Sequence, residues 1–403
     1  MAFRVLNVDD LTKIQHQIIK EPLRKSFAVV GGPGTGKTVI ALERLKQVLK
    51  NGVSACYIAY NRNLVQYADY MIKETMNTAE SGIVRTLYSW LGKVYYDATG
   101  DYIRYDFNNY DWDEIGTKID EALENKIIDK IPIIIVDEIQ DFPPEALTII
   151  NKMGDTINIF VDDNQKIDID NIYDIFTAQG TALSVFNLEE NFFDLTENFR
   201  NTREIERVAK IFMCEGDGIF NDITCARISA RRRGDKPALI YSDSFAMTCH
   251  SIRQYAEHNS ARTIGVIIMS TKSSIFDQYL KEFVNKSNYH FQYTFGFKRD
   301  AQFDYSQSGI YMMTYKTCKG LEFDDVFILE ADAIENSFDN VGLRRQIYVV
   351  CTRARESLSF VYHDPAASVI SRLNYPENLK LFTANQWSTQ KKAVLSDILL
   401  EES

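Results

Sequence analysis

Residues 31–38 read Gly-Gly-Pro-Gly-Thr-Gly-Lys-Thr, a G-x-x-x-x-G-K-T string. Glycines lack the Cβ that would keep backbone N–H groups away from an anion, so such a loop can close on phosphate oxygens. Lys37 then reaches the β- and γ-phosphates, and the Thr38 hydroxyl is placed to ligate Mg²⁺. Gly31, Gly32, Pro33, Gly34, Thr35, Gly36, Lys37 and Thr38 are therefore expected to cradle a nucleotide. A tight glycine turn that binds nothing is the alternative, and it leaves the flanking pattern unexplained. Downstream, the apolar run Ile131-Pro-Ile-Ile-Ile-Val136 ends in Asp137-Glu138. Beside a phosphate loop, Asp137 would hold Mg²⁺ through water, and Glu138 would orient or deprotonate the attacking water. A further apolar run, Ile157–Val161, ends in Asp162-Asp-Asn-Gln165. Gln165 either contacts the γ-phosphate or is an ordinary loop residue.

These side chains need particular elements to hold them. Phe27-Ala-Val-Val30 reads as a buried strand into the glycine loop, and Val39, Ile40, Leu42, Leu45, Val48 and Leu49 have helical spacing after it. Strand, loop and helix in that order aim the helix's positive end at the bound anion. Leu11–Ile19 has the pattern of a short amphipathic helix, and further strands are expected at Ser54–Tyr60 and Gly82–Leu87, with Asn61 capping a helix between them. Strands alternating with helices imply a parallel sheet, whose ligands bind at the strands' carboxyl ends.

Residues 95–115 are rich in Tyr, Asp and Asn and have poor periodicity, which reads as an insertion (about 90–130) at the sheet edge, with a helix near 112–126. Its aromatics suit either a nucleic-acid stacking platform or local packing; the acids among them favour packing. The pattern changes at Leu195-Thr-Glu-Asn-Phe-Arg200, which divides the chain into domains 1–195 and 196–403. The second block alternates again, with strands at 237–241, 263–269, 309–314, 325–329 and 358–362, helices at 244–258, 274–285 and 340–352, and an amphipathic helical tail at 390–403. It has no glycine loop of its own. The basic run Arg231-Arg-Arg233 reads as a phosphate contact or a solvated loop.

At 403 residues the chain has room for two or three domains, and 45% hydrophobic with 25% charged residues is ordinary for a globular protein. A net charge of −11 is unusual for a protein held on nucleic acid by electrostatics alone, so such contact needs a local groove or a partner. Six cysteines without C-x-x-C spacing argue against a zinc site or disulfide framework and fit a reducing cytoplasm. No apolar run reaches the ~20 residues that span a bilayer, and the start lacks a signal-peptide core, so no membrane role is expected.

At Val136-Asp-Glu-Ile-Gln-Asp141 the sequence resembles the superfamily 1 helicases of the UvrD/Rep/PcrA type, whose motif II is Asp-Glu-x-Gln-Asp. Other pieces follow in that family's order. Gln15, in Leu-Thr-Lys-Ile-Gln, is similar to the glutamine that reads adenine. Ala59–Leu64 resembles motif Ia, with Tyr60 at a base-touching aromatic position, and Thr86-Leu-Tyr-Ser89 resembles motif Ib, which contacts the nucleic-acid backbone. Val161–Ile167 resembles motif III, with Gln165 as its glutamine, and Glu197–Thr202 resembles motif IV, with Arg200 at the γ-phosphate. Thr314–Asp324 resembles motif V, whose glutamate, here Glu322, contacts the nucleotide; Arg345–Arg355 resembles motif VI, with Arg353 as arginine finger.

The resemblance implies an α/β fold of two RecA-like P-loop NTPase domains, parallel sheets flanked by helices and an ATP cleft between them. It implies ATP and Mg²⁺ as cofactors, and single-stranded DNA, or RNA, along Tyr60, Asn61, Thr86, Ser89 and Thr314. The chain departs from the family in three places. The gaps that hold accessory subdomains are short, Asp168 replaces a motif III tyrosine, and Tyr315 replaces a motif V histidine, so this is a compact member lacking most of that machinery. Two functions follow: a nucleic-acid-dependent ATPase that moves on a single strand, or an ATP-driven switch for a protein partner such as a nuclease in DNA repair or phage (antiviral) defence. A small-molecule kinase is a third, which Arg200, Glu322 and Arg353 in family order argue against.

Overall fold

A computed structural model describes residues 11–76, 82–106, 109–162, 178–212, 229–284, 290–295, 304, 307–337, 341–364 and 380–383. The chain divides into two compact units, Val5–Thr196 and one that takes in Glu197–Ser403. Gln165, the segment 163–177 and the 390–403 tail lie outside the described residues.

The first unit runs α1 (Lys13–Ile19), β1 (Phe27–Gly31), α2 (Lys37–Lys50), β2 (Ala55–Ala59), α3 (Arg62–Met76), β3 (Val84–Thr86) and α4 (Leu87–Thr99). A short pair β4 (Tyr105–Asp106) and β5 (Asn109–Tyr110) leads to α5 (Trp112–Glu124), β6 (Ile131–Asp137), α6 (Pro144–Met153), β7 (Gly154–Val161), α7 (Ala178–Val185) and β8 (Phe192–Leu195). Its six-stranded sheet has the order β3-β2-β6-β7-β1-β8, parallel throughout. Side chains alternate across it, so β1 sends Ala28 and Val30 into one core and Phe27 and Val29 into the other. The first core packs under α4, α5 and α6 through Trp90, Ile119 and Leu147; the second packs under α2 and α3 through Leu45 and Ala68. Both faces are covered, which is why these strands are near-continuous apolar runs rather than alternating ones.

The Tyr-rich stretch holds the expected helix, α5, and packs in part: Tyr95 of α4 and Ile115 and Ile119 of α5 enter the core, Tyr110 and Trp112 are half-buried against it, and Tyr96 and Tyr102 are exposed.

The second unit runs β9 (Glu197–Thr202), α8 (Arg203–Ile211), β10 (Ser229–Arg232), β11 (Ala238–Tyr241), α9 (Phe245–His258), β12 (Thr263–Ile268) and α10 (Ser273–Val284). It continues with β13 (Phe291–Thr294), β14 (Gly309–Thr314), β15 (Phe323–Leu329), α11 (Val341–Cys351), β16 (Ala354–Tyr362) and β17 (Lys380–Thr383). Among the described residues, seven strands form a parallel sheet of order β13-β14-β12-β15-β16-β11-β17, and β9 pairs with β10. Two parallel sheets flanked by helices are the architecture the sequence predicts, and they are consistent with two RecA-like domains. The first two arginines of the basic run lie on strand β10 and the third, Arg233, follows it exposed: Arg231 pairs with Glu197 at 2.7 Å, and Arg232 pairs with Glu356.

A charged cluster closes the carboxyl ends of β15 and β16. Tyr279 Oη donates to Glu330 Oε1 at 2.6 Å, and His363 Nε2 lies 2.9 Å from the same phenol oxygen and 3.5 Å from Glu330. Nδ1 of His363 is 2.7 Å from the Ser242 carbonyl, so Nδ1 carries a proton. The phenol's one proton goes to Glu330, which leaves its oxygen to face a protonated Nε2. Burial lowers the affinity of His363 for that second proton, but Glu330, the Ser242 carbonyl and Asp332 outweigh it and raise its pKa. A pKa raised by folding contributes stability below the unfolded value, and this stability is lost as pH rises through the folded value. The unfolding temperature should therefore fall from about pH 6.5 upward, and His363→Gln should flatten that part of the curve. Equal slopes for the two proteins in thermal melts would remove His363 as the cause.

Candidate nucleotide site

The glycine loop leaves β1 and enters α2, as strand-loop-helix geometry requires. Gly36 has φ +90°, and a Cβ there would lie 2.6 Å from Gln15 Nε2; a Cβ on Gly31 would lie 2.8 Å from Thr35 Oγ1 and 2.9 Å from Leu195 Cβ. Both positions therefore exclude a side chain on local geometry alone. No side chain caps the start of α2, so its first N–H groups face the loop's interior as a positive helix end.

Sheet order brings three more strand ends beside the loop, because β2, β6, β7 and β1 are consecutive. Lys37 Nζ donates to the carbonyls of Gly31 at 2.7 Å and Gly32 at 2.9 Å, and it lies 3.3 Å from Asp162 Oδ2 at the end of β7. Asp137, at the end of β6, is fully buried. It accepts hydrogen bonds from Tyr57 Oη at 2.7 Å, from the Glu138 N–H at 3.0 Å and from the Thr38 hydroxyl. Burial, then the Glu138 charge, holds the Asp137 carboxyl above the usual carboxylate range, and the Tyr57 and Thr38 hydroxyls and Lys37 pull it partly back.

Glu138 sits at φ +54°, a left-handed conformation that non-glycine residues seldom adopt. Such strain concentrates where a side chain has to be aimed. Gln140 fixes the aim from both ends: its Nε2 donates to Glu138 Oε2, and its Oε1 accepts the Asp162 N–H at 3.0 Å. The residues form one network, buried except at half-buried Thr38: Thr38, Tyr57 and Asp137 on one side, and Lys37, Asp162, Gln140 and Glu138 on the other.

The network suits Mg²⁺ and a polyphosphate. Thr38 and Asp137 offer two oxygen ligands, and Mg²⁺ held this way takes the rest from phosphate and water. A divalent charge there would also offset the buried Asp137 and Glu138 carboxyls.

Gln15 is buried against this loop. Its Nε2 donates to the Thr35 carbonyl at 2.9 Å, and its Oε1 accepts the Thr12 N–H at 2.8 Å in a capping box that starts α1. Arg44 holds that helix in place. Fully buried on α2, it donates to the carbonyls of Ile19 at 3.0 Å and Pro22 at 2.7 Å, and to Asn158 Oδ1 at 3.3 Å. Tyr57 and Arg44 carry no distinct sequence signal for these roles, whereas Gln140 stands at the glutamine of the Asp-Glu-x-Gln-Asp string and Asp162 in the Val161–Ile167 stretch, though neither string says what they bond.

In the second unit, Arg200 on β9 donates through Nε to Glu322 Oε2 at 2.7 Å. Burial raises the Glu322 carboxyl, but the charges of Arg200, Arg355 and Arg353 outweigh it and hold it below its ordinary range. Arg353, just past α11, is buried and donates to the carbonyls of Val349 at 2.8 Å and Leu321 at 3.3 Å, and to Thr352 Oγ1 at 3.1 Å. Arg200, Glu322 and Arg353 thus gather in one charged cluster.

Of the residues assigned to nucleic acid, Tyr60 follows β2 and its ring meets those of Tyr88 and Phe142. Asn61 precedes α3. Thr86 caps α4 by accepting the Ser89 N–H at 3.3 Å, and Ser89 is exposed. Thr314 is buried at the end of β14, with its hydroxyl 3.3 Å from that of Thr317.

Residues 15–178, less than half of the chain, match a family model described as an AAA domain. No curated protein matches the sequence. Among solved structures, the chain is similar to the C-terminal domain of a possible DNA helicase from Lactobacillus plantarum WCFS1, at 21% identity and TM-score 0.33, covering 45% of this chain and 98% of that one. It is also similar to arterivirus nonstructural protein 10, a helicase, at 13% identity, TM-score 0.41 and 89% coverage of this chain. The same viral protein solved in complex with DNA gives 13% identity, TM-score 0.40 and 89% coverage. The chain spans 64% and 66% of the length of those two viral chains. At such low TM-scores these likenesses carry nothing for function.

Proposed function

We propose that the chain binds ATP with Mg²⁺ at Gly31–Thr38, hydrolyses it, and couples turnover to single-stranded nucleic acid, DNA more readily than RNA. It is then a compact motor core of the UvrD-like superfamily 1 kind. The observation that carries the reading is the buried network joining Lys37, Asp162, Gln140 and Glu138 beside the Thr38–Asp137 pair. A storage or structural nucleotide site has no need of a strained carboxylate aimed by a buried glutamine next to the metal ligands.

On this reading Lys37 exchanges its loop carbonyls for the β- and γ-phosphates, and the α2 N-terminus binds the same charge. Glu138, aimed by Gln140, orients the attacking water and takes its proton. Gln15 reads adenine. Arg200 and Arg353 stabilise charge on the γ-phosphate, and Glu322 contacts the nucleotide. Mg²⁺, held by Thr38 and Asp137, supplies Lewis-acid stabilisation of the phosphoryl oxygens.

A second reading is an ATP-driven switch whose output goes to a protein partner such as a nuclease. A net charge of −11, with Arg231 and Arg232 consumed by ion pairs, favours it over a highly charged polymer track. ATPase rate with and without single-stranded DNA and RNA, against Lys37→Ala as background, separates the two. A multi-fold rise with either polymer is expected; no rise with both leaves the switch.

A further inference from the structure

Four aromatic rings line up from the sheet's carboxyl edge into the inserted helices. Tyr60 meets Tyr88 at 5.9 Å and 66°, Tyr88 stacks on Tyr110 at 5.1 Å and 14°, and Tyr110 meets Trp112 at 5.4 Å and 37°. The rings come from three separate stretches: just past β2, the first turn of α4, and the β5–α5 junction that carries both Tyr110 and Trp112. The rings are not simply core. Tyr60, Tyr110 and Trp112 pack against the core only in part, and Tyr88 is 37% exposed. One side of the strip therefore rests on Phe142 and the packed interior, while the other meets water. A hydrogen bond between the Tyr60 and Tyr88 hydroxyls ties the first two rings together.

A row of rings held from below and partly open to water offers flat π-faces to a ligand. Bases of a single strand stack on such rings in a sequence-tolerant way, because every base has a π-face. Phosphates beside them would meet positive helix ends and the exposed Arg62 that begins α3. α3 and α4 both begin next to the first two rings, and both are long enough for a full macrodipole. The nearby acid Asp111 is engaged in capping α5, accepting the Glu114 N–H at 2.9 Å. The acidic residues that count against a platform in the bare sequence are thus partly occupied by the fold.

We infer that Tyr88, Tyr110 and Trp112 continue the contact surface begun at Tyr60 and stack consecutive bases of single-stranded nucleic acid. This rests on the reading of the chain as a single-strand-dependent ATPase, and it makes the short insert part of the polymer track.

The test uses the full chain and a dye-labelled mixed-sequence DNA oligonucleotide, with an RNA of the same sequence, at fixed salt. Tyr110→Ala should weaken binding by about 5- to 100-fold, the usual range for losing one base-stacking ring. Tyr110→Phe, which keeps the ring, should bind like the parent, and so should Tyr102→Ala, an exposed tyrosine off the strip. Tryptophan emission gives a readout independent of folding losses: the oligonucleotide should quench it in the parent and quench it less in Trp112→Phe. If the parent binds but Tyr110→Ala binds equally well and Trp112→Phe is quenched as strongly, the strip is not a base platform, and the ATPase reading stands without it. If the parent binds neither polymer, the nucleic-acid reading itself falls.

Discussion

Glu138→Gln should lower ATP hydrolysis by about 10²- to 10⁴-fold, the usual worth of a positioned general base, while leaving ATP binding near the parent's. The substitution nearly preserves shape, so the loop, Lys37 and the Thr38–Asp137 pair keep their geometry. What it removes is the basic carboxylate. The Gln140 amide now donates to Glu138 Oε2, and a glutamine at 138 can still accept that bond through its carbonyl. The fold around φ +54° is therefore disturbed little, and the loss should fall on kcat rather than on nucleotide affinity. Single-turnover hydrolysis with binding of a fluorescent ATP analogue separates the two. Full-rate hydrolysis would remove Glu138 from the reaction. Lost binding would instead assign it to the nucleotide pocket's structure.

The parts of this site that are legible in sequence are those made by neighbours along the chain. Gly31–Thr38 announces itself because the loop's conformation is set by its own glycines. Asp137-Glu138 is legible because a buried strand must end somewhere, and two acids at such an end are conspicuous. The strands around them read easily, since a sheet covered on both faces leaves uninterrupted apolar runs such as Phe27–Val30. α4 is harder, because its tyrosines and aspartate blur the helical spacing that Leu87, Trp90, Leu91 and Val94 carry. What sequence does not display is pairing at a distance. Lys37 meets Asp162 across 125 positions, and Arg200 meets Glu322 across 122. Gln140 is conspicuous in the Asp-Glu-x-Gln-Asp string, but its two partners appear only once sheet order sets β6 beside β7. Arg44 looks like an ordinary helix surface residue, yet it is fully buried and ties down the segment that places Gln15.

Arg353→Ala carries the other large expected effect, a fall of about 10³- to 10⁵-fold in turnover, the range an arginine finger supplies. Arg353→Lys should rescue little of it, because an ammonium cannot match the planar fork that bonds phosphate oxygens bidentately. A purely structural role would also be damaged by the alanine, since Arg353 ties the end of α11 to the Leu321 carbonyl and its removal takes that donor away. The Val349 carbonyl keeps the Thr352 hydroxyl at 2.8 Å, so the structural loss falls on the Leu321 carbonyl, and thermal stability and turnover must be read together. A finger loses turnover far beyond any loss of folded protein, with ATP still bound, and Arg200→Ala should lose it in parallel. If Arg353→Ala melts earlier but each folded molecule hydrolyses ATP at the parent's rate, its guanidinium is a clamp on the α11 end, and the charge on the γ-phosphate is met by other groups.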